Sequence, residues 1–132
     1  MAENVLIHFL TGNDQSAENH YAQKAYRNDV VVEIDGLFYE VYFYVESTMK
    51  YEMRLTMKDE ITASGFFSMP GLIVVEDISN EIIYSAIDQL VDLKYFDWLV
   101  GKRQMPINNR FQNLWSIMSG IDSSKKSTYK LR

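Results

Sequence analysis

The chain contains no cysteine, two prolines and six glycines. The lack of cysteine excludes disulfides, thiolate nucleophiles and thiolate metal sites, and it fits a reducing compartment. No stretch approaches the roughly 20 apolar residues that span a bilayer, and the start, Met1-Ala2-Glu3-Asn4, lacks the basic region of an export signal. We therefore expect a soluble, cytoplasmic protein with no membrane partner.

Basic residues are scarce in the first 100 positions. This part holds seventeen of the eighteen Asp and Glu but six of the thirteen Lys and Arg, a net charge of −11, whereas the last 32 residues carry +6. Phosphate contacts require clustered bases, so we expect the main body to bind no nucleic acid. The acidic surface instead favours a basic partner, because charge of one sign steers association.

A chain of 132 residues fits one globular domain. We assign residues 1–121 to a single domain and residues 122–132, which are rich in Ser and Lys, to a basic, disordered tail. The alternative for the tail is electrostatic return to the acidic body.

Apolar periodicity predicts an α+β fold with a mainly antiparallel sheet and helices packed on one side. A strand at 5–10 precedes a helix at 17–27, for which Asp14 or Ser16 is the cap. Asp35-Gly36 is a hairpin signal between strands 30–34 and 37–45, and a third strand at 50–58 extends this meander.

In the second half of the chain, the sequence pattern predicts a loop at 65–71, a strand at 72–75 and then helices. The clearest helix covers 78–93, with Asp77 or Ser79 as its cap. A shorter apolar segment follows at 95–100, and a last helix ends at Gly120.

The 78–93 helix carries an acidic stripe, formed by Asp77, Glu81, Asp88 and Asp92 with Tyr84. Their spacing places them on one face at helical pitch. Like charges four residues apart destabilise a helix, and Asp88 and Asp92 lie too far from its N-terminus to be favoured by the macrodipole. The stripe is therefore our candidate partner-binding surface, with a solvated face as the alternative.

The outer face of the hairpin is the second candidate. It carries Glu33, Glu40, Tyr42 and Tyr44, and Arg54 is expected nearby. These residues define either a secondary partner surface or a pocket beneath the first helix. Two carboxylates divide acid and base roles only if burial separates their pKa values, so solvated carboxylates remain the alternative.

The sequence carries no catalytic or metal-binding signature. It has neither the GxSxG elbow nor a phosphate loop, and His8 and His20 lie in different elements without metal-ligand spacing. We expect no metal, no cofactor and no enzymatic activity. Trp98 is a further candidate anchor for a protein interface, since Trp combines a large apolar area with a polar tip.

The chain is small, charge-biased and free of cysteine, and its predicted meander is followed by a strand and a helix. That strand and the start of the helix have the sequence Pro70-Gly71-Leu72-Ile73-Val74-Val75-Glu76-Asp77-Ile78, which continues through Ser79-Asn80-Glu81-Ile82-Ile83 to Tyr84. In these features the chain resembles the immunity proteins of bacterial contact-dependent inhibition and related polymorphic toxin systems. That resemblance implies a cytoplasmic protein that binds a cognate toxin domain, commonly a basic nuclease, and blocks its active site or substrate groove.

Our leading hypothesis is a non-enzymatic, immunity-type inhibitor that binds a basic toxin domain through its acidic surface. The alternative from another class is a small-ligand-binding or enzymatic α+β domain with a pocket near the Tyr- and Glu-bearing sheet face. A homo-oligomer assembled through the tyrosine-bearing strands is compatible with either.

Overall fold

The computed structural model describes residues 4–51, 70–106 and 126–132. Its elements in chain order are β1 (Val5–Phe9), α1 (Gln15–Lys24), β2 (Tyr26–Ile34), β3 (Leu37–Val45), β4 (Leu72–Val75), α2 (Asn80–Asp92), a 3₁₀ helix (Tyr95–Trp98) and β5 (Ser127–Lys130). Residues 46–51 are also helical. The predicted α+β fold is confirmed.

One five-stranded sheet has the order β4-β3-β2-β1-β5. Its pairs are antiparallel except β3 with β4, which run parallel. The predicted hairpin turn joins β2 to β3, and both of its residues have positive φ, 48° at Asp35 and 88° at Gly36. Asp-Gly suits this geometry because both residues tolerate the left-handed region.

Both long helices start at a side-chain cap that the sequence allowed. Asp14 accepts a hydrogen bond from the backbone N–H of Ala17 at 2.9 Å, and Ser79 accepts one from Ile82 at 3.2 Å. Helix α1 ends earlier than predicted because Ala25 adopts a left-handed conformation, with φ 59°. The next residues extend β2 instead of the helix.

The core lies between one face of the sheet and the three helical elements. Tyr21 of α1, Ile83 and Ile87 of α2, and Phe96 of the 3₁₀ helix are all buried there. The strand residues that meet them are Val5, Ile7, Phe9, Val30, Val32, Val41 and Phe43. Helices thus pack on one side, as the periodicity predicted.

Part of the predicted meander is wrong. Residues 46–51 are helical, so the third strand does not begin at residue 50. The remainder of that strand lies outside the described residues, as do Arg54, most of the loop at 65–71 and the predicted last helix.

The prediction of a disordered tail is wrong for its final residues. Ser127–Lys130 form β5, which pairs antiparallel with β1 from Leu6 opposite Lys130 to Phe9 opposite Ser127. The alternative was electrostatic return to the acidic body: Arg132 lies 2.9 Å from Asp88 and 2.7 Å from Asp92, while the strand itself is held by backbone pairing with β1. Residues 122–125 lie outside the described part of the chain.

A β-bulge in β2 carries a buried ion pair. Arg27 pairs with Phe43 and Val30 with Val41, which leaves one extra residue on β2. Arg27 and Asp29 are both 0 % exposed, and Arg27 Nε donates to Asp29 Oδ1 at 2.7 Å. Removing two charges from water is costly, so such a pair persists only where its other hydrogen-bonding atoms are also satisfied.

Neighbouring elements supply those further contacts. Asp29 Oδ2 accepts hydrogen bonds from the backbone N–H and the hydroxyl of Thr11 at 3.1 and 2.6 Å. Arg27 donates to the Gly12 carbonyl and, at 3.3 Å, to Asn80 Oδ1. The buried pair therefore joins β2 to the β1–α1 loop and to the first residue of α2.

Replacing Asp29 with Asn should lower the free energy of unfolding by roughly 3 to 5 kcal/mol, because it leaves the Arg27 charge buried without its counterion. Urea unfolding followed by circular dichroism measures this loss. The control is Glu46→Gln in the exposed Glu46–Lys50 pair, 3.0 Å apart, for which we expect less than about 1 kcal/mol. Equal losses in the two variants would contradict the role assigned to burial.

Burial, and then the nearby Asp29 charge, raise the pKa of Tyr21 above its ordinary value. The folded state thus keeps a proton that the unfolded chain releases above about pH 10, so stability should fall as pH rises through that value. Tyr21→Phe should show a shallower fall between about pH 9 and pH 11. Urea midpoints for both proteins across that range test this, and parallel pH profiles would argue against it.

Candidate functional site

The structure places the acidic stripe on and just before α2. Asp77 precedes the helix, Glu81 lies in its first turn, and both are exposed. Tyr84 and Asp88 are half-buried, and Asp92 is the exposed last residue. The stripe thus has an open N-terminal part and a more covered C-terminal part.

The C-terminal part of the stripe is contacted by β5 and the residues after it. Arg132 Nη2 lies 2.9 Å from Asp88 Oδ1 and 2.7 Å from Asp92 Oδ1. The Tyr129 ring stacks on that of Tyr84, with centroids 3.7 Å apart and planes 7° from parallel. We call these three contacts the β5 clasp.

The β5 clasp gives Asp88 and Asp92 an intramolecular role. Two carboxylates four residues apart on a helix repel each other, and a guanidinium between them offsets that repulsion. The hydrogen bonds to both carboxylates raise the pKa of Arg132, which keeps it charged. Asp77 and Glu81 form no ion pair among the described residues, so the open part of the stripe is the part that remains for a partner.

The candidate residues on the outer sheet face lie in separate environments. Glu33 Oε1 lies 2.9 Å from His8 Nε2, and the other ring nitrogen of His8 lies 2.9 Å from the Thr128 hydroxyl. His8 and Thr128 are direct cross-strand partners, so the contact joins β5 to β1. Tyr44 is buried and its ring stacks on that of Tyr26.

Glu40 and Tyr42, in contrast, line an open groove of about 510 Å³ at the edge of β3. The expected pocket beneath the first helix is wrong, because α1 packs through Tyr21 on the opposite face of the sheet. The other lining residues are Phe38, Tyr39, Pro70, Trp98, Leu99, Val100 and Lys102. Glu33 and Tyr44 do not line it, and Arg54 lies outside the described residues.

The groove exists because two segments reach the same edge of β3 at different points. At one end, the Tyr42 N–H donates to the Gly71 carbonyl at 2.9 Å, where parallel β4 begins. At the other end, Phe38 and Lys102 exchange two backbone hydrogen bonds of 2.7 and 2.8 Å. Glu40 lies between these two attachments.

Two glycines permit both attachments. A Cβ on Gly71 would lie 2.4 Å from the Glu40 carbonyl oxygen, and Gly71 has φ +82°. A Cβ on Gly101 would lie 2.8 Å from the Tyr39 ring. The approach at Gly71 requires glycine, because the obstructing atom belongs to the backbone, whereas a side chain at residue 101 would have to displace the end of the Tyr39 side chain.

Large apolar side chains are exposed beside the groove. Trp98 is 87 % exposed and Val100 is 90 % exposed, and both line it, while Leu93 at the end of α2 is 74 % exposed. Single exposed apolar residues are common, but Trp98 and Val100 share one groove, and exposed apolar residues that share one surface mark interaction sites. The sequence identified Trp98 as a candidate anchor, and its exposure is consistent with that role.

The described residues include no cluster of three or more His, Cys, Asp or Glu side chains arranged to hold a metal ion. No helix in this part of the chain is both long and apolar enough to cross a membrane.

Comparison with protein-family models, curated proteins and solved structures gives no match. The functional assignment therefore depends on the geometry of the chain itself.

Sequence reasoning missed the buried Arg27–Asp29 pair and the groove residues contributed by Phe38, Tyr39 and Lys102. The pair was missed because the sequence pattern placed Arg27 at the end of the predicted first helix, whereas it lies in β2, two positions before Asp29. No local signal was available for the groove, because Lys102 meets Phe38 across 64 positions of sequence.

Replacing Arg132 with Gln should speed amide hydrogen exchange in Ser127–Lys130, because β5 then loses its ionic contact with α2. The control is Lys130→Gln, which removes an exposed base of the same strand. Hydrogen exchange read by NMR at low and moderate salt measures both variants. Equal exchange rates in Arg132→Gln and the unmodified protein would show that the two Arg132 contacts of the clasp do not hold β5.

Proposed function

We propose that this chain is a non-enzymatic, immunity-type protein that binds a basic toxin domain and thereby blocks it. The observation that carries the proposal is the exposure of Trp98 and Val100 at a groove whose lining includes the Glu40 carboxylate. Trp is the residue type most enriched at the energetic centres of protein interfaces, where it fills a pocket and loses its contact with water. An exposed Trp beside such a groove is suited to that use.

The charge distribution supports a basic partner. Glu40 lines the groove, and Asp97 belongs to the same 3₁₀ helix as Trp98. The open part of the stripe, Asp77 and Glu81, adds negative charge further along α2. Complementary charge of this kind raises the association rate, while the buried apolar contacts determine how long the complex lasts.

The stripe thus contributes in two ways under this proposal. Asp88 and Asp92 bind Arg132, which reduces the charge they present. Asp77 and Glu81 keep theirs and act by steering. The proposal therefore assigns binding energy to the Trp98 groove and long-range attraction to the open part of the stripe.

A second candidate is a small-ligand-binding domain. The observation that favours it is the size of the groove, about 510 Å³, which lies in the range typical of small-molecule sites. Its apolar walls with a single carboxylate and a single ammonium also suit a small ligand. Glu40 and Tyr42, two of the residues we selected for a ligand pocket, contribute to it.

Affinity capture with the purified chain as bait tests the proposal. At low salt the bait should retain a basic protein in stoichiometric amount, and moderate salt should reduce the capture, because exposed charges are screened within about 10 Å at 0.1 M. A Trp98→Ala bait should bind the captured protein at least about 2 kcal/mol more weakly, roughly thirtyfold in Kd.

The matched control is Tyr51→Ala, which removes another exposed aromatic residue from a different element. It should leave capture unchanged. Retention of the same protein by the Trp98→Ala bait at equal affinity would contradict the assignment of the surface. Capture of no basic protein at either salt would contradict the partner class and favour the small-ligand candidate.

A further inference from the structure

The groove carries one pair of opposite charges on an otherwise apolar wall. Glu40 Oε2 and Lys102 Nζ are 3.8 Å apart, which is well beyond the 2.7 to 2.9 Å typical of a charge-assisted hydrogen bond. The Glu40 side chain is 30 % exposed, whereas that of Lys102 is 62 % exposed. The carboxylate is therefore held in the wall, and the ammonium is a loose partner at the mouth.

Aromatic rings line the same groove as this carboxylate. Four of the nine lining residues are aromatic: Phe38, Tyr39, Tyr42 and Trp98. A guanidinium is planar, stacks on aromatic faces and binds a carboxylate through two parallel hydrogen bonds, whereas an ammonium is compact and strongly hydrated. A groove of aromatic walls with one carboxylate thus suits arginine better than lysine.

The core of the same chain contains an arginine that contacts both a carboxylate and aromatic rings. The Arg27 guanidinium lies 4.5 Å from the ring centroid of Phe9 and 4.6 Å from that of Tyr21. Its counterion is Asp29. The groove offers the same chemistry, a carboxylate among aromatic rings, but open to an incoming side chain.

A second negative charge acts on the groove. The pKa of Tyr39 is raised by burial and, in addition, by the negative charge of Asp97. Asp97 is exposed and precedes Trp98 in the 3₁₀ helix. Asp97 thus adds negative potential at the Tyr39 wall of a groove whose own charged residues are Glu40 and Lys102.

We propose that the groove binds an arginine side chain of the basic partner, with its guanidinium on the Glu40 carboxylate and against the rings of Trp98 and Tyr42. The inference rests on the proposed function and names the anchor that the partner supplies. Lys102 gives up its contact with Glu40 when the arginine enters. That exchange costs little, because a long, exposed ion pair contributes little to stability.

NMR titration with two matched peptides tests this. Acetyl-Ala-Ala-Arg-Ala-Ala-amide carries the guanidinium, and the same peptide with citrulline replaces it with a neutral group of nearly the same shape. We expect the arginine peptide to shift the signals of Glu40, Trp98 and Lys102 and to bind about tenfold more tightly than the citrulline peptide. Equal shifts with both peptides would overturn the proposal, as would the absence of shifts at these residues.

Two substitutions should act in opposite directions. Glu40→Gln removes the counterion and should weaken arginine-peptide binding about tenfold, to the level of the citrulline peptide. Lys102→Ala removes the competing ammonium from an exposed position and should strengthen it severalfold. Glu46→Gln, an exposed acid outside the groove, should change nothing. Weaker binding by Lys102→Ala would show that the groove is not selective for a cation.

The peptide titration and the capture experiment can fail separately. If the arginine peptide does not bind but Trp98→Ala still loses the captured protein, then the anchor is not an arginine and the binding surface stands. If the peptide binds and no basic protein is captured, the groove is a cation site and the partner class proposed for the chain is wrong.

Discussion

The ion pair between Arg27 and Asp29 is the constraint on which the rest of the fold depends. A charge without water must be matched by a counterion and by hydrogen bonds to its remaining atoms. Here the matching groups come from Thr11, Gly12 and Asn80, which lie in parts of the chain distant in sequence. The bulge, the β1–α1 loop and the start of α2 are therefore fixed relative to one another by one requirement.

Further hydrogen bonds connect this ion pair to the second helix and to the last strand. The Glu18 carboxylate of α1 accepts the Asn80 backbone N–H at 2.6 Å, and thus lies at the N-terminus of α2, where the macrodipole favours an anion. Asn80 also donates to the Asn13 carbonyl at 2.8 Å, and the Asn13 side chain accepts from the Ser127 hydroxyl. The orientation of α2, which determines where the acidic stripe and Trp98 lie, follows from these polar contacts as well as from apolar packing.

Local sequence signals were sufficient to predict those elements that neighbouring residues determine. Asp35-Gly36 specified the hairpin, and the caps Asp14 and Ser79 specified the helix starts, because each of these acts within a few residues. Strand β5 could not be predicted in this way. Its polar residues resemble a solvated tail, and its stability comes from pairing with β1 more than a hundred positions earlier.

The residues of the candidate site likewise divide into those that local sequence patterns predict and those that depend on contacts between distant segments. Helical pitch placed Tyr84, Asp88 and Asp92 on one face, and the structure brings all three together under the β5 clasp. The groove depends on two distant segments that reach β3, one of them at Gly71, where a side chain would collide with the Glu40 backbone. Neither Gly71 nor Gly101 lies in a recognisable motif, so no local pattern indicated a groove at this edge, although two of its lining residues, Glu40 and Tyr42, were among the candidates.

The acidic residues of this chain are not equivalent, and their net charge overstates what a partner meets. Asp29 is neutralised in the core, Glu18 is bound at the end of a helix, and Asp88 and Asp92 share Arg132. The fold thus uses its most constrained carboxylates to join its own elements. Among the described residues, Glu40 makes one long contact, with Lys102, and this difference in partnering, more than the charge of −11 on residues 1–100, is the physical reason to propose that the groove recognises a cation.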